Sequence, residues 1–467
     1  MLTALTTLAV VTGCSGRAVD RPTGSPAPSA GSPAPGAPGA GDPYFPTYGN
    51  GGYDVASYDL LVRYDPRTDV LTGPATVAAT ATSALSRFQL DLAHLRASAV
   101  TVDGAPATHR ADAAELVITP AAPIDAGRRF TVVVDYTGVP QPVGTDLLGQ
   151  GGFRATADGG FALGQPESAS SWFPVNDHPS DKARYTIAIT VPAGLEALSN
   201  GVPRPRRTVD GWTTWTWTES TPMVSYLAFV AIGQFRITSG THRGRPIVTA
   251  VPATLPVKGF AARSVARTAE IADYLETLFG PYPVDAYGAV VLDDERVRYA
   301  LETQSRPVYG TVFFDKSPNL SVVAHELAHQ WFGNSVSISR WRDIWLNEGF
   351  ATYAEWLFSE HEGGASAQAK FDATYNGFDW SVPSGDPGVE QLFGPPVYQR
   401  GAMIVHALRR TIGDDDFFRL LKVWPEQHRN GNATTEDFIA TAERVSGESL
   451  TTFAKTWIHG TTRPPRP

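Results

Sequence analysis

The sequence predicts an α+β chain of more than one domain, with an antiparallel β domain first and a mainly helical domain after it. Three observations carry this reading. Apolar and polar residues alternate at period two up to about residue 250. From residue 257 onward apolar residues recur at helical spacing instead. A chain of 467 residues is also longer than one ordinary core organises. The expected divisions are 1–13 as a leader, 14–46 as a tether, 47–252 as the β domain and 253–467 as the helical domain.

Residues 2–11 form an apolar stretch that is too short to span a bilayer and suits the apolar region of a secretory signal. Val11-Thr12-Gly13-Cys14 follows and resembles a bacterial lipobox, in which the cysteine becomes the acylated first residue. The alternative is a plain signal peptide with a chance cysteine. The lipobox resemblance implies an exported protein, lipid-anchored to the outer face of a bacterial membrane or secreted. Cys14 is the one cysteine of the chain, so an intrachain disulfide and a cysteine metal site are both excluded. From residue 21 to about 46 the chain is Pro, Gly, Ala and Ser with little else, a composition that buries too little apolar surface to offset its ordering entropy. The expectation is a flexible tether.

In the β domain, Tyr58, Leu60, Val62 and Tyr64 alternate with Asp59, Arg63 and Asp65, and Phe130, Val132, Val134 and Tyr136 repeat the pattern. Asp65-Pro66, Asp103-Gly104 and Asp210-Gly211 supply turns between such runs. The helical part opens at 257–279, where Phe260, Val265, Ile271, Tyr274, Leu275 and Leu278 recur at helical spacing and Gly280-Pro281 stops them. Short strands are expected at 289–292 and 299–304. The composition is that of a folded soluble body, with 42% hydrophobic residues, 18% charged residues and 11 Trp. A net charge of −9 without a long basic run argues against a nucleic-acid partner.

The chemistry concentrates in 317–353. Ser317 can cap a helix with Pro318 at its first position, and Gly333-Asn334 can close it. Within it, His325 and His329 are four apart, so both imidazoles lie on one face and can reach one metal ion. Glu326 is one step round the helix, placed to serve as base toward a water rather than as a ligand. Eighteen residues separate His329 from Glu348, which lies in the first turn of a second helix expected from about 347 to 360. Two imidazoles and one carboxylate with an open fourth position form the donor set of a catalytic zinc site, with one Zn2+ per chain. His-Glu-x-x-His also arises in helices that bind nothing; the helix caps, Asn347-Glu348-Gly349 and the exported location favour the metal. Phe332 and Ser335 exclude the metzincin variant.

His325-Glu326-Leu327-Ala328-His329-Gln330-Trp331-Phe332-Gly333-Asn334, followed by Trp345-Leu346-Asn347-Glu348-Gly349-Phe350-Ala351, resembles the aminopeptidase N family of gluzincins. Gln165-Pro166-Glu167 with Phe173-Pro174, the run from Pro222 to Phe235, and Phe279-Gly280-Pro281-Tyr282-Pro283 extend the likeness over roughly residues 50 to 460. The resemblance implies a thermolysin-like catalytic domain and hydrolysis of N-terminal residues from peptides with a free N-terminus. It implies that Glu302 binds the substrate's α-ammonium, that Gln165 and Glu167 form the second half of that amine site, and that Tyr398 steadies the tetrahedral intermediate. Tyr299 and Thr303 depart from the family's Gly-x-Met-Glu-Asn segment, where glycine and asparagine stand. Many relatives continue with a long helical domain that roofs the active site; the expectation here is a short form without it. The rival readings are an endopeptidase or an epoxide hydrolase on the same zinc site, or a metal-free scaffold of this fold.

Overall fold

The computed structural model describes residues 32–145 and 147–467. The leader, Cys14 and the first part of the tether lie outside these residues. Among the described residues, no helix is long and apolar enough to cross a membrane.

The N-terminal half is built on a nine-stranded sheet whose centre runs Trp212–Val224, Lys182–Pro192, Tyr53–Asp65, Val70–Ala81, Arg129–Gly138 and Arg96–Val102. The alternating residues behave as period two demands. Tyr58, Leu60, Val62 and Tyr64 are all buried, while Asp59, Leu61 and Arg63 on the opposite face are exposed. The pairing is antiparallel except for one central pair, since Lys182–Pro192 runs parallel to Tyr53–Asp65. A smaller four-stranded sheet and a five-stranded one close the core.

The helical half carries a five-stranded mixed sheet, and here the structure departs from a division at 252/253. The hairpin Phe235–His242 and Arg245–Pro252 belongs to this sheet, because Ile247 to Ala250 pair in parallel with Tyr287 to Val290. A change of local period marks where strands give way to helices, and it says nothing about which sheet a strand joins. The helix expected over 257–279 is two helices, Phe260–Val265 and Thr268–Phe279, the second ended by Gly280 at φ 88°. The strand Ala300–Leu301 lies at the sheet's edge, paired among the described residues only with Val308–Gly310.

The tether reading fails for its second half. Residues 34–35 pair with Leu85–Asp91, Phe45 is 6% exposed and Asp42 is 3% exposed. Most residues of the segment are solvated, as their composition predicts, but Asp42, Tyr44 and Phe45, with Tyr48 just beyond the tether's end, supply anchors on both halves of the molecule. Elsewhere the halves are joined by polar side chains, Lys182 half-buried and Arg306 fully buried. Lys182 Nζ donates to Asn334 O at 2.7 Å and Ser335 O at 2.9 Å, and burial brings its pKa down to about 7. Arg306 donates to the carbonyls of Ser199 and Gly201 with its guanidinium over Trp217.

Candidate active site and metal centre

The motif helix is Leu320–Ala328. Asn319 caps it in place of Ser317, its side chain accepting from Val322 N at 3.2 Å. The helix ends at His329, and Gly333 at φ 122° turns the chain away. The second helix is Trp345–His361 and a third is Gln399–Ile412. These two cross where a Cβ on Gly349 would stand 2.8 Å from Gly401, a distance no side chain tolerates. Glu348 and Tyr398 flank that crossing, so the glycine pair sets how closely the carboxylate and the phenol approach.

His325 Nε2 and His329 Nε2 each lie 3.3 Å from the same Glu348 oxygen, and one donor atom from each residue falls within 4.8 Å of the others. Tetrahedral zinc with bonds near 2.0–2.1 Å separates its donors by about 3.3 Å, so the set fits. The remaining ring nitrogens are held. His325 Nδ1 meets Glu355 Oε1 at 2.7 Å and His329 Nδ1 meets Phe332 O at 2.9 Å, which leaves both Nε2 lone pairs for a cation. Burial alone would raise Glu348, but the charge on His329 and hydrogen bonds from both imidazoles outweigh it and bring the carboxyl to about 2. Burial opposes the charge on His329, yet Glu348 and Glu302 carry it up to about 9. The buried carboxylates of Glu348 and Glu302 give the two imidazoles a strongly negative setting, one that favours a bound cation.

Glu355 was not foreseen. It lies seven residues beyond Glu348 on the same helix, two turns along the same face, and that spacing was the available signal. Ser321 Oγ donates to its other oxygen at 2.5 Å. Glu355→Ala is expected to weaken zinc binding about 10–100-fold, read by competition with a chelator, while the fold persists.

Glu326 is 5% exposed and burial pushes its pKa up to about 8, against the pull of the two imidazoles. Its carboxylate, with Glu302 and His329, makes a second close cluster. Glu302 is 2% exposed and accepts from the Tyr226 hydroxyl at 2.8 Å. Its carbonyl accepts from Gln330 Nε2 at 3.1 Å and Asn334 Nδ2 at 2.7 Å, so the residues that continue the motif helix hold the Glu302 strand against it. Thr303, at the position of the family's asparagine, closes the turn behind Glu302 by donating to Arg306 O at 2.7 Å. Tyr226 had no local signal in the sequence.

His325, Glu326, His329, Glu348, Glu355 and Glu302 line one cleft of about 510 Å³ with Gln165, Arg298, Tyr299, Phe313 and Tyr398. The Tyr398 ring lies 6.0 Å from that of His325 and nearly parallel to it. A hollow of about 630 Å³ lies elsewhere, around Phe161 and Asp293 to Arg296, and shares none of these residues. Chemistry, not size, marks the smaller one. Gln165 reaches the cleft, its side chain beside the Tyr226 hydroxyl. Glu167 is not in the cleft lining; it accepts from Tyr48 Oη at 3.0 Å, and burial together with Asp177 raises it to about 7. Residues 164–168 bend after the strand Gly160–Leu163, so the period that would turn 165 and 167 the same way does not hold there.

The sequence profile described as Peptidase M1 N-terminal domain matches residues 55–227, and that of the Peptidase family M1 domain matches residues 265–457. Probable aminopeptidase 2 of Sulfurisphaera tokodaii is 31% identical over 62% of this chain and 40% of its own length. Aminopeptidase M1-B of Oryza sativa subsp. japonica is 28% identical over 86% of this chain and 49% of its own length. The chain therefore spans less than half the length of these relatives. A crystal structure of an M1 zinc metallopeptidase from Deinococcus radiodurans, a Glu-to-Ala mutant bound to a Tyr-Ser-Ala substrate, superposes with a TM-score of 0.85 at 30% identity, covering 92% of this chain and 99% of that one.

Proposed function

This chain belongs to the peptidase M1 family, and from that premise we propose that it is a zinc aminopeptidase with one zinc ion per chain, removing N-terminal residues from peptides with a free N-terminus. The observation that carries the reading is the meeting in one cleft of the His325, His329 and Glu348 donor set with the buried carboxylate of Glu302. The first supports metal-assisted hydrolysis, and the second gives a reason for it to act at a chain end.

His325, His329 and Glu348 would hold the ion. Bound there, zinc supplies Lewis acidity, polarising an amide carbonyl and making a nucleophile available at neutral pH. Glu326 takes a proton from the attacking water and delivers it to the departing amine, work that suits a carboxyl poised near neutrality. Tyr398 donates its hydroxyl to the charge developing on the carbonyl oxygen. Glu302 and Gln165 receive the α-ammonium, and Glu167 acts from behind them.

A charge-assisted contact in a partly desolvated site is strong, and its loss leaves an ammonium unpaired. Glu302→Ala is expected to lower kcat/KM on free-amine peptides by about 10–100-fold and to change much less on their acetylated forms, which the wild type cleaves poorly. An equal fall on both forms would remove Glu302 from the amine site. Good cleavage of acetylated peptides by the wild type would point to an endopeptidase.

Acylation of Cys14 and attachment to the outer face of a bacterial membrane are proposed from the lipobox-like run. Cys14→Ser is expected to move the protein from the membrane to the soluble exported fraction, read by fractionation.

A further inference from the structure

Residues 42–48 contact both halves of the molecule at groups that lie behind the cleft, next to the elements that carry Glu348, Tyr398 and Glu302. Asp42 Oδ2 accepts from Trp341 N at 2.8 Å, in the turn that leads into the helix of Glu348. The same oxygen lies 3.3 Å from His178 Nε2 in the β half, and this contact is wholly buried. The Tyr44 hydroxyl donates to Asp386 and accepts from Gly388 N at 2.8 Å. That grip falls on the loop that delivers Tyr398, a loop closed by Ser384 Oγ donating to Pro396 O at 2.7 Å. The Tyr48 hydroxyl donates to Glu167 at 3.0 Å. Phe45 stacks on Tyr48 at 4.7 Å and meets Trp341 edge-on at 6.0 Å. Trp341 in turn packs at 5.6 Å on Tyr226, whose hydroxyl holds Glu302.

We propose that residues 42–48 are a strap that positions the active site across the two halves of the molecule, with Tyr48 the positioning residue for Glu167 and Tyr44 the positioning residue for the loop of Tyr398. The inference rests on the aminopeptidase reading. Its physical basis is that the cleft takes Gln165 from the β half and Glu302, Glu348 and Tyr398 from the helical half. The relative placement of the halves therefore enters the reacting geometry directly, and small misplacements cost rate steeply. A strap bonded to both halves within seven residues restricts that placement. It does so through hydroxyl and carboxylate contacts that packing alone would not need.

The two hydroxyls act on different groups, which separates positioning from stability. The experiment measures kcat, KM, zinc content and melting temperature for full-length Tyr48→Phe and Tyr44→Phe, on one peptide in free-amine and acetylated forms. Each substitution keeps the ring and removes one oxygen. Tyr48→Phe is expected to raise KM for the free-amine peptide about tenfold and to leave the acetylated form within about twofold. Tyr44→Phe is expected to lower kcat about tenfold, with KM within about twofold. Kinetic constants unmoved in both variants would overturn the proposal, as would equal losses that only follow melting temperature. Glu167→Gln distinguishes the two levels. If it leaves KM unchanged, the amine role of Glu167 fails, and the strap then stands or falls on the kcat of Tyr44→Phe.

Discussion

Replacing Glu326 by alanine is expected to leave zinc stoichiometric with the chain and to lower kcat/KM on a free-amine peptide by about 10²–10⁴-fold. The two halves of this result have separate causes. The donors His325, His329 and Glu348 meet without help from Glu326, and their outer nitrogens are held by Glu355 and Phe332, so the ion stays. What is lost is a buried carboxyl that lies beside the donor set, placed to accept a proton from the attacking water and return it to the leaving amine. Metal analysis and steady-state kinetics on the same sample check both halves. Activity within tenfold of wild type, with zinc retained, would assign the base elsewhere.

His329→Ala is expected to give the opposite pairing, with zinc lost on dialysis and activity down by more than about 10³-fold. His329 is 1% exposed, and its Nε2 shares the Glu348 oxygen with His325. Its removal takes away one of three donors and leaves a buried carboxylate without the neighbour that most lowers its pKa. Full retention of zinc by this variant would sink the proposed donor set. The contrast between neighbouring positions is the useful part: the base variant is a metal-loaded, inert protein, and the ligand variant is a metal-free one.

The meeting of His325, His329 and Glu348 was legible because its geometry is mostly local. A four-residue step on a helix aligns two imidazoles whatever the rest of the chain does, and the crossing at Gly349 and Gly401 had only to bring Glu348 alongside. The strands of the β half were legible for the same reason, since period two is a property of the backbone. The boundary at 252/253 was not, because the choice of sheet for the hairpin 235–252 depends on a partner at 287–292. The bend at 164–168 likewise hid the fact that Gln165 and Glu167 face different neighbours.

By itself the sequence determined the α+β class and the family resemblance, and it singled out His325, His329 and Glu348 as a candidate donor set with Glu326 as candidate base, readings that rest on spacings within one element or one motif. Only the tertiary structure decided which groups orient them: Glu355 behind His325, Tyr226 on Glu302, and the strap 42–48 across both halves. The physical reason is separation along the chain. Tyr48 and Glu167 are 119 residues apart, Asp42 and Trp341 are 299 apart, and Tyr44 and Asp386 are 342 apart. No local period encodes such contacts. A segment whose average composition favours disorder is ordered here over residues 34–46 by backbone pairing at 34–35 and by side chains such as Asp42, Tyr44 and Phe45, whose partners the fold brings to them.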